Sequence, residues 1–306
     1  MTEPAADNVS ASASLGRWRA WLVAIRPATL PAAVGPVLVG LAVAISLGVF
    51  EVLPALASLT VALLLQIASN VGNDLSDHRS GVDTEERLGP TRAAAAGLLS
   101  EREMLVGLGL IVGLTGLVGL YLVSVGGVII LVLGVAAVLS AFAYSGGPWP
   151  YGYHGLGEVF VFVFFGLVAT VGSTYVQTGE VTALAACAAV PVGLLATALL
   201  VINNLRDIPT DTEAGKRTMA VRLGDRTTRI VYVTMLVDVF LLVIVVAVTA
   251  RIPALLGLVG IGFAVPPIRE VRRGAVGPAL IPVLGATGRT QLVTGLLLAL
   301  GLALGG

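Results

Sequence analysis

The chain has 306 residues, 57% of them hydrophobic and only 12% charged, and a mean hydropathy of +0.97 excludes a soluble globular domain. Formal net charge is +0, so bulk charge selects no partner, and the dispersed Arg and Lys residues exclude a nucleic-acid reading face. The single cysteine, Cys187 in an apolar run, excludes a disulfide framework and a thiolate metal site and reads as a small buried hydrophobe.

A membrane crossing needs about 20 apolar residues, and its backbone polar groups must be paired within the crossing. In chain order the sequence predicts an all-α multi-pass membrane protein with nine transmembrane helices, at 29–48, 53–72, 104–123, 125–143, 157–175, 181–203, 229–249, 252–268 and 288–306. Residues 1–15 are polar, small and acidic, without the basic start of a signal peptide. They read as a disordered cytoplasmic tail, leaving 16–306 as one transmembrane domain. Gly126 and Gly127 supply the turn within 104–143. Residues 275–287 carry Pro278 and Pro282 and read as the start of a long tilted ninth helix or as a separate re-entrant piece.

Positive charge is concentrated on one side. The N-terminal segment carries Arg17, Arg19 and Arg26; the 2–3 connection Arg79, Arg87, Arg92 and Arg102; the 6–7 connection Arg206, Lys216, Arg217, Arg222, Arg226 and Arg229; the 8–9 connection Arg269, Arg272 and Arg273. Opposite them stand only Arg251, Glu51 and Glu180. The positive-inside rule therefore puts the N-terminus and these connections in the cytoplasm of a cell (inner) membrane protein, with the C-terminus outside.

Two polar stripes lie at the cytoplasmic ends of the second and sixth helices. Asn70, Asp74 and Asp77 share a helix face, with Asn73 beside them and Asp83 beyond Gly81; Asn203, Asp207 and Asp211 repeat the pattern at spacings of four. Carboxylates at the edge of hydrocarbon need cationic company. A hard, oxygen-preferring ion such as Mg²⁺ suits this donor set, with substrate phosphates completing its shell. A diphosphate whose departing group is a polyprenyl chain fits a lipid-enclosed site. A proton relay, a transport site and structural capping remain alternatives for one stripe alone; two matching stripes favour the metal–diphosphate reading. Asp238, alone in the seventh span, has no evident mate in the sequence.

The motifs Asn70-x-x-Asn73-Asp74-x-x-Asp77 with Gly81-x-Asp83, and Asn203-Asn204-x-Arg206-Asp207-x-x-x-Asp211 with Gly215-Lys216-Arg217-Thr218, resemble those of the UbiA superfamily of intramembrane aromatic prenyltransferases. The opening Arg26-Pro-x-Thr-Leu-Pro31, and Tyr144-Ser-Gly-Gly-Pro148 running into Gly155-Leu-Gly157-Glu158, are similar to its MenA branch, which acts on 1,4-dihydroxy-2-naphthoate.

That resemblance implies nine helices around a central cavity, polar caps over the cytoplasmic side, a lateral opening to the lipid bilayer and two Mg²⁺ ions. It implies metal binding by Asn70, Asp74, Asp77, Asn203, Asp207 and Asp211, with Asp74, Asp77, Asp207 and Asp211 catalytic and Asn73 and Asp83 as loop or metal support. Arg206, Lys216 and Arg217 are expected on the diphosphate, although Lys216 and Arg217 also suit an interfacial basic pair. Arg26, Tyr144, Tyr153 and His154 are expected around the acceptor; the tyrosines equally suit an interfacial aromatic belt and His154 a locally satisfied histidine. The implied reaction is polyprenyl transfer from polyprenyl diphosphate to 1,4-dihydroxy-2-naphthoate with loss of CO₂ and diphosphate, giving demethylmenaquinol for menaquinone. The competing readings are a 4-hydroxybenzoate prenyltransferase and a cation-coupled transporter.

Overall fold

The structure, a computed structural model, describes residues 16–81 and 92–305; the tail 1–15, Asp83 and Arg87 lie outside the described residues. The helices are α1 (Arg17–Ile25), α2 (Pro31–Ser46), α3 (Val52–Arg79), α4 (Glu101–Ala143), α5 (Gly157–Thr178), α6 (Ala183–Glu213), α7 (Met219–Thr249), α8 (Ile252–Arg272) and α9 (Leu280–Leu304). Seven of these segments, α3 to α9, are long and apolar enough to cross a membrane, and α1 with α2, bent by 49°, qualify together as an eighth. The chain is an all-α, multi-pass membrane protein.

The bend before α2 follows from sequence. Pro27 fixes its own φ and lacks an N–H, and Arg26 takes φ 54°, the left-handed region that non-glycine residues seldom occupy. The chain leaves α1 there, turns through Pro27–Thr29, and enters α2 at Pro31.

Helix α4 starts at a capping box, Ser100 with Glu103, and continues for 43 residues. A straight helix of that length would reach about 65 Å, roughly twice the hydrocarbon thickness. It does not stay straight: Gly127 breaks it at φ 69°, ψ −158°, a conformation open chiefly to glycine. The halves return along each other. Met104 and Phe142, near opposite ends of α4, pack in one apolar cluster, whereas Leu122 and Ile130, either side of the break, pack in another with Ala57 and Val176.

Several helices outrun the apolar stretches that announce them. α3 continues to Arg79 and α6 to Glu213, so both polar stripes are helical; the last helix begins at Leu280, which makes 275–287 largely part of a long ninth helix. α7 likewise starts early, at Met219, with a break at Gly224. Cys187 is exposed on α6, contrary to its reading as buried.

In lipid, association depends on close packing and not on expulsion of water. A Cβ on Gly40 of α2 would lie 2.2 Å from the Thr170 carbonyl oxygen of α5, and one on Gly166 would lie 2.6 Å from Gly193 Cα of α6. Val39 and Val43 of α2, Val192 of α6, Val243 of α7 and Leu298 of α9 then form a shared core. Large apolar side chains such as Leu110, Leu117 and Leu139 stay exposed on the outside, as a lipid-facing surface requires. Asp238 is half-buried in α7 and makes no hydrogen bond or ion pair among the described residues.

Candidate functional site

The helical spacing of α3 puts Asn70, Asp74 and Asp77 on its inward face, and all three are buried. Asp77 is the hub. Arg92 Nη2 donates to its Oδ2 at 2.6 Å, the Tyr153 hydroxyl donates to its Oδ1, and Lys216 Nζ stands 3.9 Å from Oδ1. The same ammonium is 4.0 Å from Asp211 Oδ1 at the end of α6 and lies over the Tyr153 ring, 4.4 Å from its centroid. Both stripes therefore meet on one cation, and the carboxylates of Asp77 and Asp211 are separated by less than twice the ion-pair distance.

One turn earlier on α6, Arg206 grips its neighbour Asp207 with two hydrogen bonds, Nε to Oδ1 at 2.7 Å and Nη2 to Oδ2 at 2.6 Å. Nη2 also reaches Asn203 Oδ1 at 3.0 Å. Arg206 and Asp207 are both buried. A planar guanidinium matches a carboxylate in this way where lysine does not, so Arg206 fixes the orientation of the second motif.

Among the described residues Asp74 meets backbone and not a side-chain cation. It is fully buried, and its oxygens accept from the backbone N–H groups of Ala93 and Ala94 at 2.9 and 3.3 Å, anchoring the segment that carries Arg92. Asn70 also spends its amide on structure: Nδ2 donates to the Ile25 carbonyl at 2.8 Å and to Thr29 Oγ1 at 2.9 Å, and Gln66 donates to its Oδ1 at 3.2 Å. These bonds lock the α1–α2 corner that holds Arg26. Asn73 Oδ1 accepts from Ser145 Oγ at 2.7 Å, and Ser76 donates to the Ser145 carbonyl, so α3 is tied to the segment after α4.

The connection 144–156 is aromatic. Tyr144 meets Tyr151 edge-on at 5.6 Å, Tyr151 stacks on Phe160 at 3.9 Å, and Phe160 continues to Phe164 at 6.2 Å. The ladder runs from the connection into α5. Burial, and then the Asp77 carboxylate, hold the Tyr153 phenol well above the usual tyrosine range. Tyr144 is raised likewise, by burial first, then by Glu158, Tyr151, Asp211 and Asp77, so its phenol lies in the field of both stripes. His154 faces its own loop, with Nδ1 2.9 Å from the Pro150 carbonyl and its ring stacked on Trp149 at 4.6 Å. Arg217 is exposed, and its backbone N–H donates to the Tyr153 carbonyl at 2.8 Å, stapling this connection to the one after α6.

The motifs assign no role to two contributors. Arg92 is one of several basic residues in its connection, and nothing in the spacing singles it out as the partner of Asp77. Glu158, 4% exposed at the head of α5, is bonded to Asn204 Nδ2 at 2.9 Å. Its signal was present: it is the first charge after Tyr144 and it opens an apolar span.

The donors offered by Asp77, Asp211, Asp207 and Asn203 are all hard oxygens, which suits Mg²⁺ and not zinc or iron. Among the described residues no three His, Cys, Asp or Glu side chains converge as a ready-made metal cage. Mg²⁺ with a phosphate ligand needs only one or two carboxylates, so this arrangement fits a metal that arrives with an anionic substrate.

Residues 33–276 match the model of the UbiA prenyltransferase family. The chain is 41% identical over 288 residues to the 1,4-dihydroxy-2-naphthoate octaprenyltransferase of Mycobacterium leprae, covering 94% of this chain and 97% of that one. It is 39% identical to the protein of that name from Escherichia coli, covering 95% and 97%. Among solved structures, a UbiA homologue from Archaeoglobus fulgidus bound to GPP and Mg²⁺ superposes with a TM-score of 0.61 at 15% identity, covering 92% of this chain and 99% of that chain. The apo UbiA homologue from Aeropyrum pernix K1 gives 0.67 at 14% identity, over 87% and 96%. The fold, the paired aspartate motifs and the family match agree: this chain belongs to the UbiA prenyltransferase family.

Proposed function

We propose that this protein transfers a polyprenyl group from polyprenyl diphosphate to 1,4-dihydroxy-2-naphthoate, releasing CO₂ and diphosphate and giving demethylmenaquinol for menaquinone biosynthesis. Its relatives carry that acceptor in their names. The structural observation supporting the reading is Lys216, whose ammonium joins Asp77 of the first motif to Asp211 of the second.

Asp77 and Asp211, assisted by Asp207 and Asn203, are the residues that would hold Mg²⁺. Bound there, the ion would supply positive charge against the diphosphate, both before and as it leaves. Lys216 and Arg217 clamp the remaining phosphate oxygens, Arg206 keeps Asp207 aligned, and Asp74 holds the Arg92 segment in place. Tyr153 orients Asp77. The Tyr144–Tyr151–Phe160–Phe164 ladder offers aromatic faces to a cationic allylic carbon, and Arg26, at its locked corner, pairs the acceptor carboxylate. The two stapled connections exclude water, which would otherwise capture the allylic cation. An apolar groove of about 370 Å³ between α2, α3 and α9, lined by Leu38, Leu41, Phe50, Leu59 and Leu300, takes part of the hydrocarbon tail.

Nine crossings complete the reading: α1–α2 as one, the halves of α4 as two, and α5 to α9 with α3 as the rest. The N-terminus and the site then face the cytoplasm and the C-terminus lies outside, in a single domain from residue 16 onward. The test is a membrane assay offering polyprenyl diphosphate with either 1,4-dihydroxy-2-naphthoate or 4-hydroxybenzoate, with Mg²⁺ or with a chelator. The reading expects Mg²⁺-dependent prenylation of the naphthoate; prenylation of hydroxybenzoate alone would replace the acceptor, and vectorial ion flux without prenylation would replace the activity.

A further inference from the structure

Glu158 carries an unpartnered oxygen beside the site. Its Oε1 accepts from Asn204, but its Oε2 is buried and receives no hydrogen bond from any described residue. An orphaned buried carboxylate oxygen costs at least as much as a missing hydrogen bond and is rare in a packed interior. The Tyr144 hydroxyl lies against the head of α5, 3.6 Å from where a Cβ on Gly157 would stand, and after burial Glu158 is the largest influence on that phenol. That hydroxyl also makes no hydrogen bond among the described residues. An acceptor without a donor and a donor without an acceptor thus both lie at the head of α5 without bonding each other, one residue from Asn203 through the Glu158–Asn204 bond.

We propose that Glu158 Oε2 and the Tyr144 hydroxyl form a binding site for a phenolic hydroxyl of the aromatic acceptor, with Glu158 receiving that hydroxyl's proton during transfer. A phenolic hydroxyl both donates and accepts at one atom, and it matches the pair. The proposal rests on the acceptor reading above, in which the ring carbon bearing the carboxylate is attacked. The 1-hydroxyl is next to that carbon, so loss of its proton feeds electrons to the position that attacks. As the ring carbon bonds to C1 of the prenyl group and the C1–O bond to diphosphate breaks, the hydroxyl becomes a carbonyl and its proton passes to Glu158. When CO₂ leaves, the C–C electron pair returns to the ring, the carbonyl becomes a hydroxyl again, and Glu158 gives the proton back. No proton is gained or lost overall. Glu158 is then a catalytic residue that touches substrate, and Asn204 is the residue that positions it.

The test is a cycle between enzyme and acceptor. Wild type and Glu158→Gln, an isosteric change that keeps an oxygen for Asn204, are compared with 1,4-dihydroxy-2-naphthoate and its 1-methoxy and 4-methoxy ethers. Equilibrium binding of each acceptor is measured without donor, and kcat/KM with it. In wild type the 1-methoxy ether binds about 10- to 100-fold more weakly than the parent, the range for a hydrogen bond to a charged group. In Glu158→Gln that difference collapses, while KM for the polyprenyl diphosphate and the thermal midpoint stay at wild-type values. Tyr144→Phe, which retains the ring packing, lowers the same discrimination in part. If wild type uses 4-hydroxybenzoate instead, the cycle is repeated with its 4-methoxy ether; coupling there retains the Glu158 site while the naphthoate reading falls. Equal discrimination in wild type and Glu158→Gln, coupling to the 4-position of the naphthoate, or a fall in donor and acceptor affinity alike would overturn the proposal.

Discussion

Replacing Lys216 by methionine separates a shared site from two adjacent ones. The ammonium lies 3.9 Å from Asp77 and 4.0 Å from Asp211, and all three side chains are nearly buried. At such distances each ion pair is worth about 4 kcal/mol of gross Coulomb energy at an effective dielectric of 20, much of it offset by desolvation. Removing the cation also leaves the two carboxylates facing each other at less than twice that separation, a repulsion of about 2 kcal/mol on the same scale. Lys216→Met should therefore destabilise the detergent-solubilised protein by about 2 kcal/mol in a chelator. Mg²⁺ should restore most of that loss, because a divalent ion answers the same two carboxylates. Turnover stays about 100- to 1,000-fold low even with Mg²⁺, since a donor to the departing diphosphate is gone. Thermal unfolding in EDTA and in Mg²⁺, with product formation measured in parallel, reads all three. A variant as stable as wild type in EDTA, or one whose deficit Mg²⁺ does not narrow, would refute the idea that Lys216 stands between two halves of one site.

Asp74→Asn turns an amide onto one of the two backbone N–H groups that Asp74 receives, so it should cost about 1–3 kcal/mol and lower stability along with turnover; normal unfolding with lost turnover would put Asp74 on the metal instead. Gly166→Val drives a side chain into the Gly193 backbone and should sharply reduce the yield of folded protein in detergent, checked by monodispersity on size exclusion. His154→Ala should change kcat/KM by less than about tenfold, because its Nδ1 and ring are occupied within their own loop; a loss of several orders of magnitude would give it a proton-transfer role. Tyr144 and Tyr153 have raised folded-state values, so the folded protein holds those protons longer than the unfolded chain, whose tyrosines titrate at about 10. Their contribution to stability is complete below about pH 10 and declines as pH rises above it; the Tyr153→Phe midpoint should fall less steeply than wild type in that window.

The membrane architecture was legible because apolar length and charge asymmetry are local properties of a chain. Helix ends were less so: α3 and α6 continue through their polar stripes because Asp77 and Asp207 find arginine and lysine partners that an apolar window does not register. The two motifs were visible as periodic carboxylates, yet periodicity says which residues share a face and not which atoms they meet. Asp74 and Asp77 look equivalent in sequence; only tertiary contact gives one to the Ala93–Ala94 backbone and the other to Arg92, Tyr153 and Lys216. Glu158 stands in the sequence at the end of the Gly155-Leu-Gly157-Glu158 stretch, but a single acid without a repeat takes on a role only once Asn204 and Tyr144 are brought beside it.

The most direct measurement is the affinity of Mg²⁺ with inorganic diphosphate for wild type, Asp77→Asn, Asp211→Asn and the double variant. A single bipartite site predicts a coupling energy above about 1 kcal/mol, the second substitution costing far less once the first is present. Losses that add to within about 0.5 kcal/mol would mean that the two aspartates act on separate ligands, and the shared site would be wrong.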